Sequence, residues 1–320
     1  MRINSKGPAL IIVIVLLAAI ALLVSGCAHR TNVLANQTSN QTQPSKNSDV
    51  ELQEFDPEKI GNPHPKIKQV IPPCCSHPYW HSIYRAFSID GITWQQEGEL
   101  LKEHASVPAI VQRDDGIFIL YYVDGETDTL ECSISSDGKD FEQGNCIIYG
   151  FTEQKAWDPY VMKLENGIYR MFFFSPGIGD NRILSAISKD GIKWQQEKGI
   201  RFQQAAVYDP AVIKIGTTWK MYLGQAVERG NILVARSDDG ENFELEKEFD
   251  FDGSVPEVTQ LEKDNYALYF CNKGIQVVTS SNGLEWKDRK TAVAQPASKI
   301  FCDPSVIKVD DQFIMYYKEV

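Results

Sequence analysis

The sequence predicts an all-β protein, a five-bladed β-propeller of four-stranded antiparallel blades. Three observations predict this fold. A tight-turn motif occurs five times, a proline-containing strand opening also occurs five times, and the first turn motif precedes every strand opening. Four-stranded repeats of about 40 to 50 residues are typical of propeller blades.

The turn motif is Ser-x-Asp-Gly, with an aromatic residue three positions after the glycine. Asp-Gly, or Asn-Gly in the last copy, readily adopts the positive φ of a tight hairpin. We expect the aromatic side chain to fold back under the sheet. The five copies are Ser88–Trp94, Ser135–Phe141, Ser188–Trp194, Ser237–Phe243 and Ser280–Trp286.

The strand opening is a residue followed by proline and, two positions later, valine or isoleucine. Its prolines are 46 to 51 residues apart. Proline is tolerated at the first position of a strand, so we expect each motif to begin the first strand of a blade. An aromatic β run and a third β run follow, and the turn motif then leads into a fourth strand. The residues before the prolines are Val107, Asp158, Asp209, Val255 and Asp303.

The ends of the chain predict how the propeller closes. The Ser88 turn precedes every strand opening, whereas the opening at Asp303 is followed by a single β run, Phe313–Tyr317. We therefore expect Ile83–Leu101 to supply the outer two strands of the blade that begins at Asp303. This closure removes the free sheet edges.

The N-terminus has the pattern of a secretory signal over residues 1–26. A basic start is followed by the apolar run Ala9–Val24 and then by Val24-Ser25-Gly26-Cys27, which matches the three parts of such a signal. The small residues before Cys27 resemble the lipobox of prokaryotic lipoproteins, and that resemblance implies lipidation of Cys27. The alternative is an uncleaved N-terminal anchor. Either way, the rest of the chain is expected outside the cytoplasm, at the cell surface or in the periplasm.

The remaining chain divides by composition. Residues 27–65 are rich in Asn, Gln, Ser and Thr and predict a flexible tether, because they offer little apolar surface to bury. Residues 66–320 predict the propeller domain. The formal net charge of −11 argues against nucleic acid or an anionic membrane surface as partner. We expect a monomer that meets the membrane through its lipid only.

Six cysteines remain besides Cys27, and an oxidising compartment favours disulfides. Cys132 and Cys146 flank one hairpin, and Cys271 and Cys302 are expected to meet where one blade's second strand ends and the next blade begins. Cys74 and Cys75 are unassigned. Adjacent cysteines fit zinc poorly, so no metal or other cofactor is expected.

In a propeller, the first strand of each blade lines the central channel. Asp158, Asp209, Asp303 and Glu257 are therefore expected to converge there, with Glu257 one position deeper. Paired carboxylates of this kind perform general acid and base catalysis of glycosyl transfer. The alternative is that the Asp-Pro aspartates are structural caps that accept backbone donors of the neighbouring blade. For Glu257 we expect a raised pKa, from burial and from the neighbouring carboxylates.

Aromatic and cationic residues near the channel mouth are candidates for contacts with a sugar. With Asp303, the candidate substrate-binding residues are Trp157, Tyr160, Tyr208, Arg182 and Arg229.

The repeated Asp-Pro-x-Val opening, aromatic strand and Ser-x-Asp-Gly-x-x-Trp turn resemble the five-bladed propeller superfamily of glycoside hydrolase families 43, 32 and 68. The resemblance spans roughly residues 80–320. It implies that Asp158 is the base or nucleophile, that Asp209 orients, and that Glu257 is the acid. Two positions depart from the family pattern: Glu257 follows its proline instead of preceding it, and Val107 stands where the family has its first aspartate.

These observations favour a carbohydrate-active propeller at the cell surface, a glycoside hydrolase acting on an oligosaccharide or polysaccharide. The rival interpretation is a non-catalytic propeller that binds glycan or protein. Whether the protein is an enzyme at all is left open by the sequence.

The lipid anchor is directly testable by replacing Cys27. We expect Cys27→Ser to release the protein from the membrane fraction or to leave it unprocessed, because the thiol is the acceptor of the lipid. Cell fractionation followed by mass determination of the N-terminus measures both. Unchanged processing together with membrane retention would contradict lipidation at Cys27.

Overall fold

The structure is a computed structural model of the chain. It describes residues 68–72, 76–142, 146, 148–151, 156–177 and 180–320. Cys27, Cys74, Cys75 and the predicted boundary at residue 65 lie outside the described residues. Within the described residues, no helix is long and apolar enough to cross a membrane.

The described chain contains 21 strands in five antiparallel sheets. The first three strands are β1 (Ser82–Ser88), β2 (Gln95–Gln96) and β3 (Lys102–Glu103). Blade 1 contains β4 (Ala105–Gln112), β5 (Phe118–Asp124) and β6 (Leu130–Ser135). Blade 2 contains β7 (Trp157–Lys163), β8 (Tyr169–Ser175), β9 (Asn181–Ser188), β10 (Trp194–Gln196) and β11 (Phe202–Gln204). Blade 3 contains β12 (Val207–Ile215), β13 (Thr218–Gln225), β14 (Asn231–Ser237) and β15 (Glu244–Phe249). Blade 4 contains β16 (Ser254–Glu262), β17 (Asn265–Cys271), β18 (Gly274–Ser280) and β19 (Lys287–Ala294). Blade 5 begins with β20 (Phe301–Val309) and β21 (Gln312–Glu319).

Blade 5 is completed by the N-terminal strands, as the sequence predicts. β1 pairs antiparallel with β21 from Ser82 opposite Glu319 to Ser88 opposite Phe313, and β2 and β3 pair with the other edge of β1. The inner strands β4, β7, β12, β16 and β20 each contact the inner strands of both neighbouring blades, which closes the ring. The predicted five-bladed propeller and its closure are confirmed.

The outer strands are less regular than expected. In blades 2 and 5 the outermost strand is broken into two short segments, which both pair with the third strand. In blade 1, the described residues show an isolated antiparallel bridge between Ile134 and Glu142 in this place. The Cys132–Cys146 disulfide ties the outer segment to β6, with 5.4 Å between the two Cα atoms.

The prolines of the strand openings lie inside the inner strands, not at their first positions. Pro159 is the third residue of β7 and Pro304 is the fourth residue of β20. Each proline coincides with a register shift between its strand and the next strand outward. An inner strand has a ladder partner on one side only, so a proline at a bulge removes no ladder hydrogen bond.

Five apolar cores stabilise the ring, one at each interface between neighbouring blades. The closing strand β1 contributes to two of them, with Ala86 packed against blade 4 and Ile83 packed against blade 1. Both side chains are fully buried. The N-terminal strand is therefore an integral part of the core.

The Ser-x-Asp-Gly turns are built alike in all five blades. In the first, the Ser88 hydroxyl donates to Asp90 and accepts the Gly91 N–H, while Asp90 accepts the N–H groups of Ile92 and Thr93. Burial opposes ionisation of Asp90, but these hydrogen bonds outweigh it and lower its pKa to about 2. Trp94 folds back as predicted, and its indole N–H donates to the Gly91 carbonyl at 3.1 Å.

In four blades, a tyrosine of the second strand forms a hydrogen bond to the Ser-x-Asp-Gly turn of the neighbouring blade. Its hydroxyl donates to the glycine carbonyl of the neighbouring blade's turn at 2.5 to 2.7 Å. The four pairs are Tyr121 with Gly191, Tyr222 with Gly283, Tyr269 with Gly91, and Tyr316 with Gly138.

Blade 2 has Phe172 at the position of this tyrosine, and a different residue makes the bond. The Arg170 guanidinium donates to the Gly240 carbonyl at 3.1 Å. Arg170 is fully buried and pairs with Glu197 at 2.6 Å, and Glu197 also accepts the Ser185 hydroxyl at 2.7 Å. A buried, hydrogen-bonded ion pair thus replaces the missing hydroxyl.

We expect Tyr222→Phe to destabilise the protein by about 1–3 kcal/mol, because the buried Gly283 carbonyl loses its donor. Urea unfolding measures the effect. Tyr266→Phe is the matched control, since Tyr266 makes no inter-blade bond to a turn glycine in the described residues. Equal losses in both variants would show that the hydroxyl bond to Gly283 contributes nothing specific.

Candidate functional site

The site is built on a backbone feature that all five inner strands share. The five residues before the prolines have φ between +47° and +60°. This conformation is rare for residues other than glycine, and a residue before proline normally stays extended. Each such residue is the extra residue of a bulge, and the bulges direct all five toward one central cavity.

The cavity lies on the axis of the ring and measures about 20 Å³, which is room for about one water molecule. Besides the five prolines, its lining residues are Val107, Asp158, Tyr160, Asp209, Val255, Glu257, Asp303 and Ser305. The structure thus brings together all four predicted carboxylates. Blades 1 and 4 contribute only valines at the level of the aspartates.

The three aspartates form one electrostatic group. Burial, and then the charge of Asp303, raise the pKa of Asp158 to about 7. Burial, and then the charges of Asp158 and Asp303, raise the pKa of Asp209 well above its ordinary value. The backbone N–H of Asp209 donates to Asp158 Oδ2 at 3.4 Å. At neutral pH this group therefore holds at least one proton.

Glu257 lies below the aspartates, 4% exposed. Its Oε1 accepts the backbone N–H of Val306, in the neighbouring blade, at 2.9 Å. Burial raises the pKa of Glu257 to about 8, opposed only by this hydrogen bond. No neighbouring carboxylate contributes to the shift, so the contribution that the sequence analysis expected for the pKa of Glu257 is absent.

Tyr160 crosses the cavity beneath the aspartates. It starts on β7, and its hydroxyl reaches the Val258 carbonyl on β16 at 3.5 Å. Burial, and then the nearby Glu257, raise the pKa of Tyr160 well above its ordinary value, so the phenol stays neutral. Tyr160 and Glu257 together form the floor of the site.

Of the two roles that the sequence left open for the carboxylates, the structure shows the structural cap, and the catalytic role stays a prediction. Asp158 and Glu257 accept backbone N–H groups of the next blade, as structural caps do. Asp303 does not: its Oδ2 lies 2.6 Å from Lys318 Nζ in an ion pair whose members are 6% and 16% exposed.

Lys318 is the residue of the site that the sequence analysis missed. It stands on β21, opposite Cys302, where the other blades have Val123, Phe174, Gly224 and Cys271. The sequence did contain a signal for Lys318. It is a lysine at the end of an aromatic strand, at a position where the other repeats carry uncharged residues.

The remaining candidate substrate-binding residues lie outside the cavity lining. The Trp157 indole donates to the Asp128 carbonyl at 3.2 Å, and the Tyr208 hydroxyl bonds to that of Ser254. Arg182 donates to the Ser175 hydroxyl at 3.1 Å, and the exposed Arg229 pairs with Asp252 at 3.4 Å. Contact of these four with a sugar stays a prediction.

The second predicted disulfide, Cys271–Cys302, borders the site. Its Cα atoms are 5.2 Å apart, and the Asp303 backbone N–H donates to Cys271 Sγ at 3.3 Å. In the described residues these two sulfurs and Asp303 are the one cluster with metal-ligand spacing. Sulfurs bonded to each other are not thiolate ligands, so the cluster does not form a metal site.

Larger clefts, of about 430 to 590 Å³, lie on the face that carries the Asp-Gly turns. Their charged groups serve turns and surface ion pairs, such as Asp137 in its turn and Lys139 with Glu99. The central cavity is where carboxyl groups with raised pKa values converge.

Comparison with known proteins identifies the fold alone. No protein-family model and no curated protein sequence matches the chain. A protein of unknown function from Dyadobacter fermentans has a TM-score of 0.53 at 15% identity, over 73% of this chain and 83% of that one. An endo-arabinase from Bacteroides thetaiotaomicron has 0.52 at 14% identity, over 68% and 93%. An α-L-arabinofuranosidase from Lactobacillus brevis has 0.51 at 11% identity, over 67% and 83%.

The buried carboxyl groups predict how stability depends on pH. Because the pKa of Glu257 is about 8 in the folded protein and 4.5 is its ordinary value, unfolding releases its proton between these pH values. The free energy of unfolding should therefore fall as pH rises from about 5 to 8, by up to about 1.4 kcal/mol per pH unit for each such group. Urea unfolding across this range measures the slope.

The Glu257→Gln variant should show a shallower slope than the wild type, since one proton-releasing group is gone. Glu244→Gln, at an exposed position on β15, is the control and should leave the slope unchanged. The same slope in wild type and Glu257→Gln would show that Glu257 is ionised in the folded protein at neutral pH.

Proposed function

We propose that the protein is a glycoside hydrolase, and that Asp158, Asp209 and Glu257 perform the reaction at the central cavity. The observation that carries the proposal is the convergence of carboxyl groups with different proton affinities on one cavity. Such a pair divides the work of acid and base between two groups of the same type. The shared fold of an endo-arabinase and an α-L-arabinofuranosidase supports this choice of chemistry.

Glu257 is the proposed acid. A pKa of about 8 keeps its proton on at neutral pH. The Val306 N–H occupies Oε1, which leaves Oε2 to carry the proton. The residue that protonates a leaving oxygen needs this combination of a held proton and a fixed carboxyl plane.

Asp158 is the proposed base or nucleophile, and Asp209 is proposed to hold the geometry. The pKa of Asp158, about 7, places its titration where a base works best at neutral pH. The Asp209 N–H bond to Asp158 Oδ2 fixes the orientation of that carboxyl group. The sugar ring would lie over the aspartates, because the cavity itself holds about one water molecule. Its leaving oxygen would have to enter the cavity to meet Glu257.

A non-catalytic glycan-binding propeller is the second candidate, and the small cavity favours it. About 20 Å³ leaves no room for a sugar ring below the aspartates. Two of the three proposed catalytic carboxylates also accept backbone N–H groups of the next blade. In this alternative the carboxylates stabilise the ring and the rim binds the ligand.

The location at the cell surface, through a lipid on Cys27, is part of the proposal. It rests on the N-terminal signal pattern. The acidic chain is expected to act on a carbohydrate substrate as a monomer.

Turnover separates the two candidates. We expect the full-length chain to cleave a member of a panel of chromogenic glycosides, beginning with arabinofuranosides. Glu257→Gln should lower kcat by about 10²- to 10⁴-fold, the range for loss of a general acid. Glu262→Gln, on the same strand but exposed, is the matched control and should keep full activity.

Wild-type turnover by Glu257→Gln would exclude Glu257 as the acid. If Asp303→Asn lowered kcat this strongly and Glu257→Gln did not, the proposed assignment of roles would be wrong. Absence of cleavage together with measurable glycan binding would establish the binding-module alternative.

A further inference from the structure

Lys318 is the cation of the aspartate group. Its strand, β21, is second in blade 5, yet its ammonium group reaches the channel and pairs with Asp303 at 2.6 Å. Burial opposes its charge, but Asp303, and then Asp209 and Asp158, raise the pKa of Lys318 above its ordinary value. Lys318 is thus paired with Asp303, and the charges of aspartates from two further blades also favour its charged form.

We propose that Lys318 is a positioning residue of the site: it holds the Asp303 side chain against the channel wall and places a positive charge beside the group formed by Asp158, Asp209 and Asp303. This inference rests on the proposed function for its catalytic meaning. Its physical content concerns the carboxyl groups alone and is measurable without a substrate.

The five inner strands supply the groups that surround the aspartates. β7 supplies Asp158, β12 supplies Asp209 and Tyr208, and β20 supplies Asp303, while β4 and β16 supply valines at this level. The neighbouring Cys271 is uncharged in its disulfide, and Glu257 lines the same cavity two residues further along β16 than Val255. Among the described residues, Lys318 is the one cation whose charge lowers the pKa values of both Asp158 and Asp209.

Two contacts fix the position of Asp303. The Lys318 ammonium group holds the side chain, and the N–H bond to Cys271 Sγ holds the backbone. Cys302, directly before Asp303, is the ladder partner of Lys318. Without Lys318, the Asp303 carboxylate is buried beside two other carboxyl groups with no partner of opposite charge.

The test is the titration of the aspartate carboxyl carbons, followed by NMR in full-length chains labelled with ¹³C-aspartate. We expect Lys318→Met to raise the apparent pKa of Asp158, because the charge of Lys318 lowers it in the wild type. A cation within about 4–6 Å shifts a carboxyl pKa by about 1–3 units, which is the upper limit of the expected change. Lys318→Arg retains the charge and should titrate like the wild type. Lys299→Met is the matched control, because Lys299 pairs with Glu319 at the surface. An unchanged Asp158 titration in folded Lys318→Met would overturn the inference.

A double variant keeps the inference falsifiable if Lys318→Met folds poorly. Because the damage comes from an unpaired Asp303, Lys318→Met/Asp303→Asn should have a higher urea midpoint at pH 8 than Lys318→Met alone. A double variant that is no more stable than the single one would overturn the inference.

The outcome is distinguishable from that of the proposed function. A shifted Asp158 titration in a protein that cleaves no glycoside would support the role of Lys318 and contradict the hydrolase. With an identified substrate, the acid limb of the kcat/KM profile should move to higher pH in Lys318→Met and stay in place in Lys318→Arg. A profile that does not move would contradict a role of Lys318 in the reaction.

Discussion

The left-handed bulge before each inner-strand proline is the constraint on which the rest of the structure depends. It breaks strict alternation, so that two consecutive residues, the one before the proline and the proline itself, line the same cavity in every blade. In three blades the residue after the proline lines it too. Strained backbone is often a sign of function. Here Val107 and Val255 adopt the same conformation as the three aspartates although they have no chemistry to perform. The strain therefore belongs to the propeller repeat. At this position the blades differ only in the side chain, which is a carboxyl group in three blades and an isopropyl group in two.

The blades are joined at two levels by the same principle, a side chain of one blade bonded to the backbone of the next. On the turn face, tyrosine hydroxyls reach glycine carbonyls, and Arg170 replaces the hydroxyl that Phe172 lacks. At the axis, Asp158 and Glu257 accept backbone N–H groups. Two of the carboxyl groups proposed for catalysis thus also connect neighbouring blades, and these hydrogen bonds hold them in place while they are buried. A group used in this way loses some freedom to move toward a substrate.

The sequence sufficed for features that depend on repetition or on order along the chain. Five turns, five openings and the early Ser88 turn predicted the blade number and the closure, and both disulfides joined the expected cysteines. Features that depend on how blades meet in space were not predictable in this way. Lys318 becomes part of the site only because β21 ends beside Asp303. Likewise, only the arrangement in space shows that burial, and no neighbouring carboxylate, raises the pKa of Glu257. The position of the prolines inside the strands also required the pairing register.

The closing strand gives the fold an unusual order of assembly. Ser82 pairs with Glu319, so the ladder that closes the ring cannot form until β21 has been synthesised. Four blades can form from contacts within short stretches of chain, but the fifth has to wait for its final strand. Contacts between residues far apart in sequence slow folding, and until β21 arrives, β1 exposes a strand edge as well as Ile83 and Ala86. During synthesis the incomplete ring is therefore vulnerable to pairing with a neighbouring chain, and the eight residues of β21, Gln312–Glu319, decide when that exposure ends.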